Sequence, residues 1–310
     1  MLSIFRNLQP HTYIILLVVL IITRIVLLVF TESPILIFDL ETLGMMSLIF
    51  AQALWINYIF NNAEFISEKT LVPALIWILL TLINPSYLEL SWIHLLTMLV
   101  IAMLQLLYPM SGSHISPQQC FQIGILSGVA FLIHPPFIVL SFTMLFVIYN
   151  KNPLSIRSYV IYLIGVLMTV FWGWSLLYLI DIDLNWLSRF YDSIGFVLPT
   201  LNQYESINWA VLGVFFIAGL FGIKTIVTIA SAKRKRDVRT LMFFALALGL
   251  VFLFSKSTDL TYVVFVFIPF SFMISVALLI IRKKKLAELV FGMFVITILS
   301  SIVLGELNVV

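Results

Sequence analysis

Long, uninterrupted apolar runs recur along the whole chain, and they constrain its fold more than any other feature. Two clear examples are Tyr13–Val29 and Leu241–Phe254. Inside a bilayer every backbone N–H and C=O must be bonded internally, so a spanning segment is either a helix or a strand of a closed barrel. Barrel strands alternate apolar and polar residues, and these runs do not. The runs therefore predict membrane-spanning α-helices.

The composition excludes most other classes of protein. Of the 310 residues, 62% are hydrophobic and only 10% are charged, and the mean hydropathy is +1.15. A soluble domain is about 45–50% apolar and about 25% charged, so the composition excludes a soluble globular protein, a disordered chain and a nucleic-acid binder. We expect one transmembrane domain over residues 1–310, with no separate soluble domain.

The number of spans follows from their length. A membrane helix needs about 20 mainly apolar residues, which gives an all-α, polytopic helical bundle of about eleven spans. The predicted spans are 12–30, 42–60, 71–83, 92–108, 119–134, 136–150, 159–180, 209–230, 241–254, 262–281 and 286–304. Nine or ten spans stay open as alternatives, because His134-Pro135-Pro136 interrupts a short hairpin and the run 241–254 is also short.

The distribution of charge predicts the orientation. With the N-terminus in the cytoplasm and alternating spans, thirteen of the 17 basic residues fall in cytoplasmic segments, as the positive-inside rule requires. Acidic residues collect in the outer segments: Glu32, Asp39, Glu41, Glu89, Asp181, Asp183, Asp192, Glu205, Asp259 and Glu306. The C-terminus then lies outside, and the predicted location is the inner (cytoplasmic) membrane.

Three acids of the first outer segment, Glu32, Asp39 and Glu41, are the candidate catalytic residues. In an extended segment residues two apart share a face, so Asp39 and Glu41 can converge on a substrate as general base and as metal ligand. A structural interpretation explains the same residues, because Asp39 can cap the second helix and Glu41 favours its positive end. No metal site is predicted, since His94 and His134 lack a metal-binding spacing.

Two arginines are candidate substrate-binding residues. Arg24 lies within the outer half of the first span, where a charge costs about 2.5–3.5 kcal/mol on insertion scales. It therefore requires a partner, which is either Glu32 or Asp39 or an anionic ligand. Arg189 lies among aromatic residues of the outer segment 181–208. Its guanidinium can hold a lipid phosphate through two hydrogen bonds or form a surface salt bridge with a nearby acid.

Other features favour packing over transport. Gly124 and Gly128 form a small-xxx-small pattern that lets two helices approach closely. The basic clusters 233–236 and 282–285 set topology and can hold anionic lipid headgroups. Coupled transporters usually keep carboxylates inside the membrane, and here none lies near the centre of a predicted span, so a solute transporter is the least favoured class.

Two resemblances to known families follow from particular stretches. The opening Met1-Leu2-Ser3-Ile4-Phe5-Arg6-Asn7-Leu8-Gln9-Pro10, with Arg24 in the next helix, resembles an uncharacterised family of bacterial inner-membrane proteins of unknown function. The stretch from Leu71-Val72-Pro73-Ala74-Leu75 to Tyr87, and Gly124–Ala130 up to His134, resemble the C-type membrane glycosyltransferases. Members of that superfamily have many helices, an inner N-terminus and a short hairpin in the middle.

The second resemblance implies a function. C-type glycosyltransferases take sugars from polyprenyl-phosphate donors at the outer face and keep acidic catalytic residues in the first outer loop, where only Glu32, Asp39 and Glu41 can match. The implied function is handling of a lipid-linked or lipid substrate, either by an active enzyme or by a chain that keeps the fold without the chemistry. The alternative is a non-enzymatic subunit that scaffolds other membrane proteins of the cell envelope. The sequence does not identify a cofactor, and membrane lipids are the expected partners.

Overall fold

The computed structural model describes residues 2–30, 40–66, 68–83, 87, 91–108, 114–152, 155–179, 193–195, 203–229, 231–256, 260–281 and 283–307. Within these ranges the chain is built from α-helices. They are α1 Leu2–Phe5, α2 Pro10–Phe30, α3 Leu40–Asn62, α4 Val72–Thr81, α5 Trp92–Leu107, α6 Pro117–Ile133, α7 Ile138–Lys151, α8 Ile156–Leu179, α9 Gln203–Ile229, α10 Ala232–Phe254, α11 Val264–Ile280 and α12 Lys284–Leu307.

Each predicted span overlaps one helix of the series α2 to α12, so the all-α class is confirmed. Three of the described helices contain segments long and apolar enough to cross a membrane. These segments are Glu41–Asn62, Ile156–Leu179 and Ala232–Phe254. Helices of this length and composition are compatible with a membrane protein. The total of eleven spans and the side on which each terminus lies stay predictions.

Most helices differ in length from the predicted spans by a few residues, and two of them show why. Helix α10 begins at Ala232 and includes the basic cluster 233–236, because the Ser231 side chain accepts the backbone N–H of Arg234 as an N-cap and lysine and arginine are good helix formers. Helix α4 has only 10 residues, about 15 Å of rise, which is half the thickness of the bilayer core. All its residues are buried, so protein surrounds this short helix on every side.

The chain divides into two compact units. The first comprises Met1–His94, Thr200–Ala230 and Phe267–Val310. Its amino-terminal segment joins several helix ends, because the Arg6 guanidinium donates to the carbonyls of Leu278 and Ile281 at 3.0 and 3.3 Å. The Thr70 hydroxyl donates to the Phe5 carbonyl at 2.8 Å. These helix ends are ones that the predicted alternation of spans assigns to the same side.

The second unit comprises Leu95–Pro199 and Ser231–Val266. Within this unit the backbones of α6 and α8 are in direct contact. A Cβ atom added to Gly124 would lie 2.3 Å from the carbonyl oxygen of Tyr162, and one added to Gly128 would lie 2.7 Å from Cβ of Thr169. Only glycine fits at such distances. The small-xxx-small prediction of a close helix contact is therefore confirmed, with α8 as the partner.

The predicted hairpin at His134 is also confirmed. Helix α6 ends at Ile133, His134 is extended, and a single 3-10 turn over Pro135–Phe137 leads into α7. The two prolines lack backbone N–H groups and cannot continue α6. The turn therefore reverses the chain within a few residues, and α6 and α7 pack side by side.

Candidate functional site

The predicted outer site lies largely outside the described residues. Glu32, Asp39 and Arg189 are not among them, and the described part of Arg24 is its backbone within α2. Glu41 is described, and it is exposed in the first turn of α3. That position agrees with the structural interpretation, in which its carboxylate favours the positive end of the helix. The catalytic and substrate-binding roles of these five residues stay predictions.

A buried group of polar and aromatic side chains lies in the first unit. We call Gln52, Trp77, Tyr87 and His94 the Tyr87 cluster. The Tyr87 hydroxyl donates to Oε1 of Gln52 at 2.7 Å. The Tyr87 ring lies 4.3 Å from the His94 ring and meets the Trp77 ring edge-on at 6.4 Å, centroid to centroid. Gln52, Trp77 and Tyr87 are fully buried, and His94 is 2% exposed.

Four segments of the chain supply the four residues of the cluster. Helix α3 contributes Gln52 and the short helix α4 contributes Trp77, and these two helices pack against each other. Tyr87 comes from the connection after α4, and His94 from the first turn of α5. Because α4 is only 10 residues long, the chain leaves helical structure early and can bring Tyr87 onto Gln52.

Two N–H donors of the Tyr87 cluster have no acceptor among the described residues. They are Nε2 of Gln52 and Nε1 of Trp77. Leaving a buried donor without an acceptor costs about 1–3 kcal/mol, and lipid, unlike water, supplies no hydrogen bond. The hydroxyl oxygen of Ser91 is likewise buried without a described partner. Ser91 lies in the same turn, since the backbone N–H of His94 donates to its carbonyl at 3.1 Å.

The sequence contains a weak signal for this cluster. Gln52 interrupts the apolar span 42–60 near its middle, and an uncharged polar side chain at that depth needs a partner. Hydropathy averaged over the span hides one glutamine. Gln52 also carries no charge, so it does not stand out as the acidic residues of the outer segments do.

A second polar group, in the second unit, surrounds a buried ion pair. The Lys151 ammonium contacts the Asp237 carboxylate, and both side chains are buried. Lys151 also lies 4.8 Å from the centre of the Tyr108 ring, and the Tyr108 hydroxyl donates to the Asp237 carbonyl at 2.9 Å. Asn150 donates to Oγ1 of Thr240 at 2.9 Å. We call these five residues the Lys151 cluster.

The connections beside the Lys151 cluster are also held by hydrogen bonds. The Asn152 side chain accepts the Ile115 N–H at 3.0 Å and donates to the Ile115 carbonyl at 2.6 Å. It also donates to the Ser158 hydroxyl at 3.2 Å, and the His114 ring nitrogen Nδ1 lies 2.9 Å from the Lys151 carbonyl. These bonds join the segment before α6 to the turn between α7 and α8. The arrangement joins helix ends, and the buried Lys151 ammonium is already paired with the Asp237 carboxylate.

A histidine and a serine meet at the opposite ends of these helices. His134 Nε2 lies 3.0 Å from Oγ of Ser255, and the His134 ring stacks on Tyr262 with centroids 4.4 Å apart. The Ser255 hydroxyl donates to the Val251 carbonyl at 2.8 Å, so Nε2 of His134 must be the donor to Ser255. A serine whose proton is engaged this way is not activated for nucleophilic attack. The pair fastens the α6–α7 turn to the end of α10.

The two histidines weighed as metal ligands belong to separate groups. His94 contacts the Tyr87 ring in the first unit, and His134 contacts Ser255 in the second. Across the part of the chain that the structure describes, no three His, Cys, Asp or Glu side chains gather into a cation site.

An apolar groove lies against the last two turns of α8. Its volume is about 480 Å³, and it is lined by Phe171, Trp174, Ser175, Tyr178 and Leu179. Pockets that hold small ligands typically measure about 300–1,000 Å³. Trp and Tyr prefer the boundary between lipid tails and water, where the ring is apolar and one polar tip can be hydrated. The groove therefore suits an apolar chain near the membrane surface.

No curated protein and no solved structure matches the chain. A family model matches residues 4–307, which is nearly the whole sequence, and its description is a family of unknown function, DUF6427. The match covers the helices of both units and both polar clusters. The chain belongs to this family of unknown function.

Proposed function

We propose that the protein is a multi-pass protein of the inner (cytoplasmic) membrane that handles a lipid or lipid-linked substrate at the outer face. The observation that carries this proposal is the aromatic groove at the end of α8. The predicted topology directs this end of α8 outward, beside the outer segment 181–208. A polyprenyl phosphate has a long apolar chain and an anionic head, so its chain matches the groove chemically.

The binding test uses the full-length protein in detergent, native mass spectrometry and added polyprenyl phosphate. Trp174→Ala and Tyr178→Ala each remove an aromatic wall of the groove. Burial of such a side chain is worth about 1.5–3 kcal/mol, so we expect each variant to bind at least about tenfold more weakly. Phe142→Ala on α7 is the matched control, because that ring is also exposed, at 63%, and lies outside the groove. Equal binding by all three variants and the wild type would contradict the proposal.

The proposed topology has eleven spans, a cytoplasmic N-terminus and an outer C-terminus. In each unit the helix ends that this alternation assigns to one side do meet, as Arg6 with the end of α11 and Lys151 with Asp237 illustrate. A phosphatase that is active only outside the cytoplasm, fused after Val310, should be active. An inactive, stably produced fusion, together with activity of a cytoplasmic reporter at the same place, would overturn the topology.

The proposed chemistry is transfer of the sugar of a polyprenyl-phosphate donor, with Asp39, Glu41 and Glu32 as catalytic residues and Arg24 and Arg189 as substrate-binding residues. The resemblance to C-type glycosyltransferases motivates this proposal. If it is right, Asp39→Asn abolishes consumption of polyprenyl-phosphate sugar by membranes while the protein accumulates normally. A Glu68→Gln variant is the control, because Glu68 lies in a predicted cytoplasmic segment. If Asp39 only caps a helix, the variant instead lowers the yield and leaves the turnover per molecule unchanged.

A second candidate function is a non-enzymatic scaffold for other envelope proteins. The observation that favours it is the exposure of α8, in which only Ser158, Tyr162 and Gly165 are buried. One side of α8 packs on α6, and the remaining, largely exposed side chains offer a long apolar face to lipid or to another membrane protein. Stoichiometric co-purification of a membrane protein in mild detergent, lost when Leu167 on the exposed face of α8 is changed to tryptophan, would support the scaffold.

A further inference from the structure

The first two turns of α10 concentrate positive charge at one end of the second unit. Their basic residues are Lys233, Arg234, Lys235, Arg236 and Arg239. An α-helix carries a partial positive charge at its N-terminus, so cations are unfavourable there and anions are favourable. The predicted topology assigns this end of α10 to the cytoplasmic side of the membrane. The charge of the helix start therefore favours a bound anion at the cytoplasmic surface.

The acid nearest to these cations in the sequence points into the protein. It is Asp237, which is 4% exposed and is paired with the Lys151 ammonium. Lys235 and Arg239 each lie two residues from Asp237 in the sequence, on the other side of the helix. Lys235 is partly exposed and Arg239 is exposed, and no described residue forms an ion pair with either of them. Their charges therefore remain for a ligand from outside the chain.

One face of α10 changes from basic to apolar along its length. Residues three or four apart lie side by side on a helix, which places Lys235, Arg239 and Phe243 in a row that Leu246 continues. Phe243 is 42% exposed and Leu246 is 56% exposed. The row is therefore open to the surroundings from its charged end to its apolar end. We call these four residues the α10 row.

The order of these side chains matches a ligand with an anionic head and an apolar chain. The predicted span 241–254 begins between Arg239 and Phe243, which places the basic end of the row at the membrane surface and the apolar end beside the acyl chains. A guanidinium can bond two oxygens of one phosphate, and basic groups at the cytoplasmic surface attract acidic lipids. A free phosphate would contact only the two cations, whereas a phospholipid contacts the whole row.

We propose that the α10 row binds an acidic phospholipid of the cytoplasmic leaflet. The lipid phosphate lies between Lys235 and Arg239, and an acyl chain runs along Phe243 and Leu246. The bound lipid supplies the negative charge that Asp237 does not supply, because Asp237 is paired with Lys151. The site lies on a different helix from the groove of α8 and takes a different lipid, so it goes beyond the proposed function and does not rest on it.

The first experiment measures binding by native mass spectrometry of the full-length protein, freed of lipid in detergent. It compares phosphatidylglycerol with phosphatidylethanolamine of the same acyl chains, because both carry a phosphate but only the first has a net negative charge. We expect the wild type to bind phosphatidylglycerol about tenfold more tightly. Lys235→Gln combined with Arg239→Gln should abolish this preference. Phe243→Ala combined with Leu246→Ala should weaken the binding of both lipids, because it removes apolar contacts.

Lys284→Gln combined with Lys285→Gln is the matched control. Both lysines are exposed in the first turn of α12, so this variant loses the same charge from the start of another long helix. There the acid Glu288 is exposed one turn further on, and the protein itself supplies a negative group. The control should keep the wild-type preference for phosphatidylglycerol. An equal loss in both double variants would show that net charge alone attracts the lipid, and would overturn the site on α10.

An excess of inorganic phosphate separates the lipid from a free anion. It should displace little phosphatidylglycerol, because it has no acyl chain to contact the apolar end of the row. Complete displacement would show that the two cations bind a free phosphate and would overturn the lipid site. Equal binding of the two phospholipids by the wild type would refute the proposal as well.

The second experiment is thermal unfolding of the same samples. None of the substituted side chains is buried, so without lipid the wild type, the Lys235→Gln, Arg239→Gln variant and the control should melt at the same temperature. Added phosphatidylglycerol should raise the melting temperature of the wild type and of the control, because a ligand of the folded state stabilises it. The Lys235→Gln, Arg239→Gln variant should gain no more than phosphatidylethanolamine provides. A lower melting temperature of that variant without lipid would show that the two cations stabilise the fold instead, and would contradict the proposal.

Discussion

Replacing Asp237 by alanine should destabilise the protein by about 3–5 kcal/mol, because it leaves the Lys151 ammonium buried without its counter-charge. The Lys151 side chain is only 1% exposed, so water does not replace the carboxylate. The hydrogen bond from Tyr108 goes to the backbone carbonyl of residue 237 and can survive the substitution. The predicted loss therefore comes from the ion pair and not from the surrounding contacts.

The magnitude has an upper limit that follows from protonation. Lys151 can escape its unfavourable position by losing a proton, and this costs about 4.6 kcal/mol at pH 7 for a lysine of ordinary pKa. Burial lowers the pKa of Lys151, which lies just beyond the predicted span 136–150, and the Asp237 carboxylate opposes that shift. Without the carboxylate the folded variant binds fewer protons than the unfolded chain. Its stability should therefore rise as the pH increases from 7 towards 10.

The assay is thermal unfolding of the purified full-length protein in one detergent at pH 7 and pH 9. For a chain of this size about 1 kcal/mol shifts the melting temperature by about 2–4 °C, so Asp237→Ala should melt at least about 6 °C below wild type at pH 7. Lys151→Met combined with Asp237→Ala should recover much of the loss, since no charge is then buried. Arg239→Ala, an exposed position on the same helix, should have little effect. A shift below about 2 °C for Asp237→Ala would show that water reaches the pair and refute the reasoning.

Two further substitutions test the packing of each unit. Gly124→Ala places a methyl group 2.3 Å from a backbone oxygen of Tyr162, and overpacking of this kind costs about 1–3 kcal/mol. Gly249→Ala is the control, because a methyl group there meets no atom within 4 Å. Equal melting temperatures of the two variants would contradict the close contact. Arg6→Gln removes charge-assisted hydrogen bonds to carbonyls at the end of α11. We therefore expect the stability measured in the same assay to fall by about 1.5–3 kcal/mol. An unchanged melting temperature would show that these bonds do not stabilise the protein.

Local patterns predicted the helices and their interruptions. Each apolar run became a helix because a buried backbone must bond to itself, and Pro135 with Pro136 ended α6 because neither can donate a hydrogen bond. Gly124 and Gly128 predicted a close helix contact, but they did not predict that the partner helix is α8. A partner is decided by how helices meet in space, and a pattern of small residues on one helix carries no information about the other surface.

The two polar clusters could not be predicted from local sequence patterns. Lys151 and Asp237 are 86 residues apart, and Lys151 stands between two asparagines at the end of an apolar run, where a lysine is expected to be exposed. Asp237 follows four basic residues, which suggests a solvated charge cluster rather than a buried acid. Gln52 lies in a run that is apolar on average. In both cases the partner arrives from a distant part of the chain.

The two clusters differ in how their buried polar groups are paired. Around Lys151 the fold provides Asp237 for the ammonium, and the neighbouring Asn150 and Asn152 side chains donate to acceptors of the protein. In this group the buried ammonium has a counter-charge, and both asparagine side chains have acceptors from the protein. At the Tyr87 cluster the fold leaves the donors of Gln52 and Trp77 without a described acceptor. Each buried donor without an acceptor lowers the stability of the fold by about 1–3 kcal/mol.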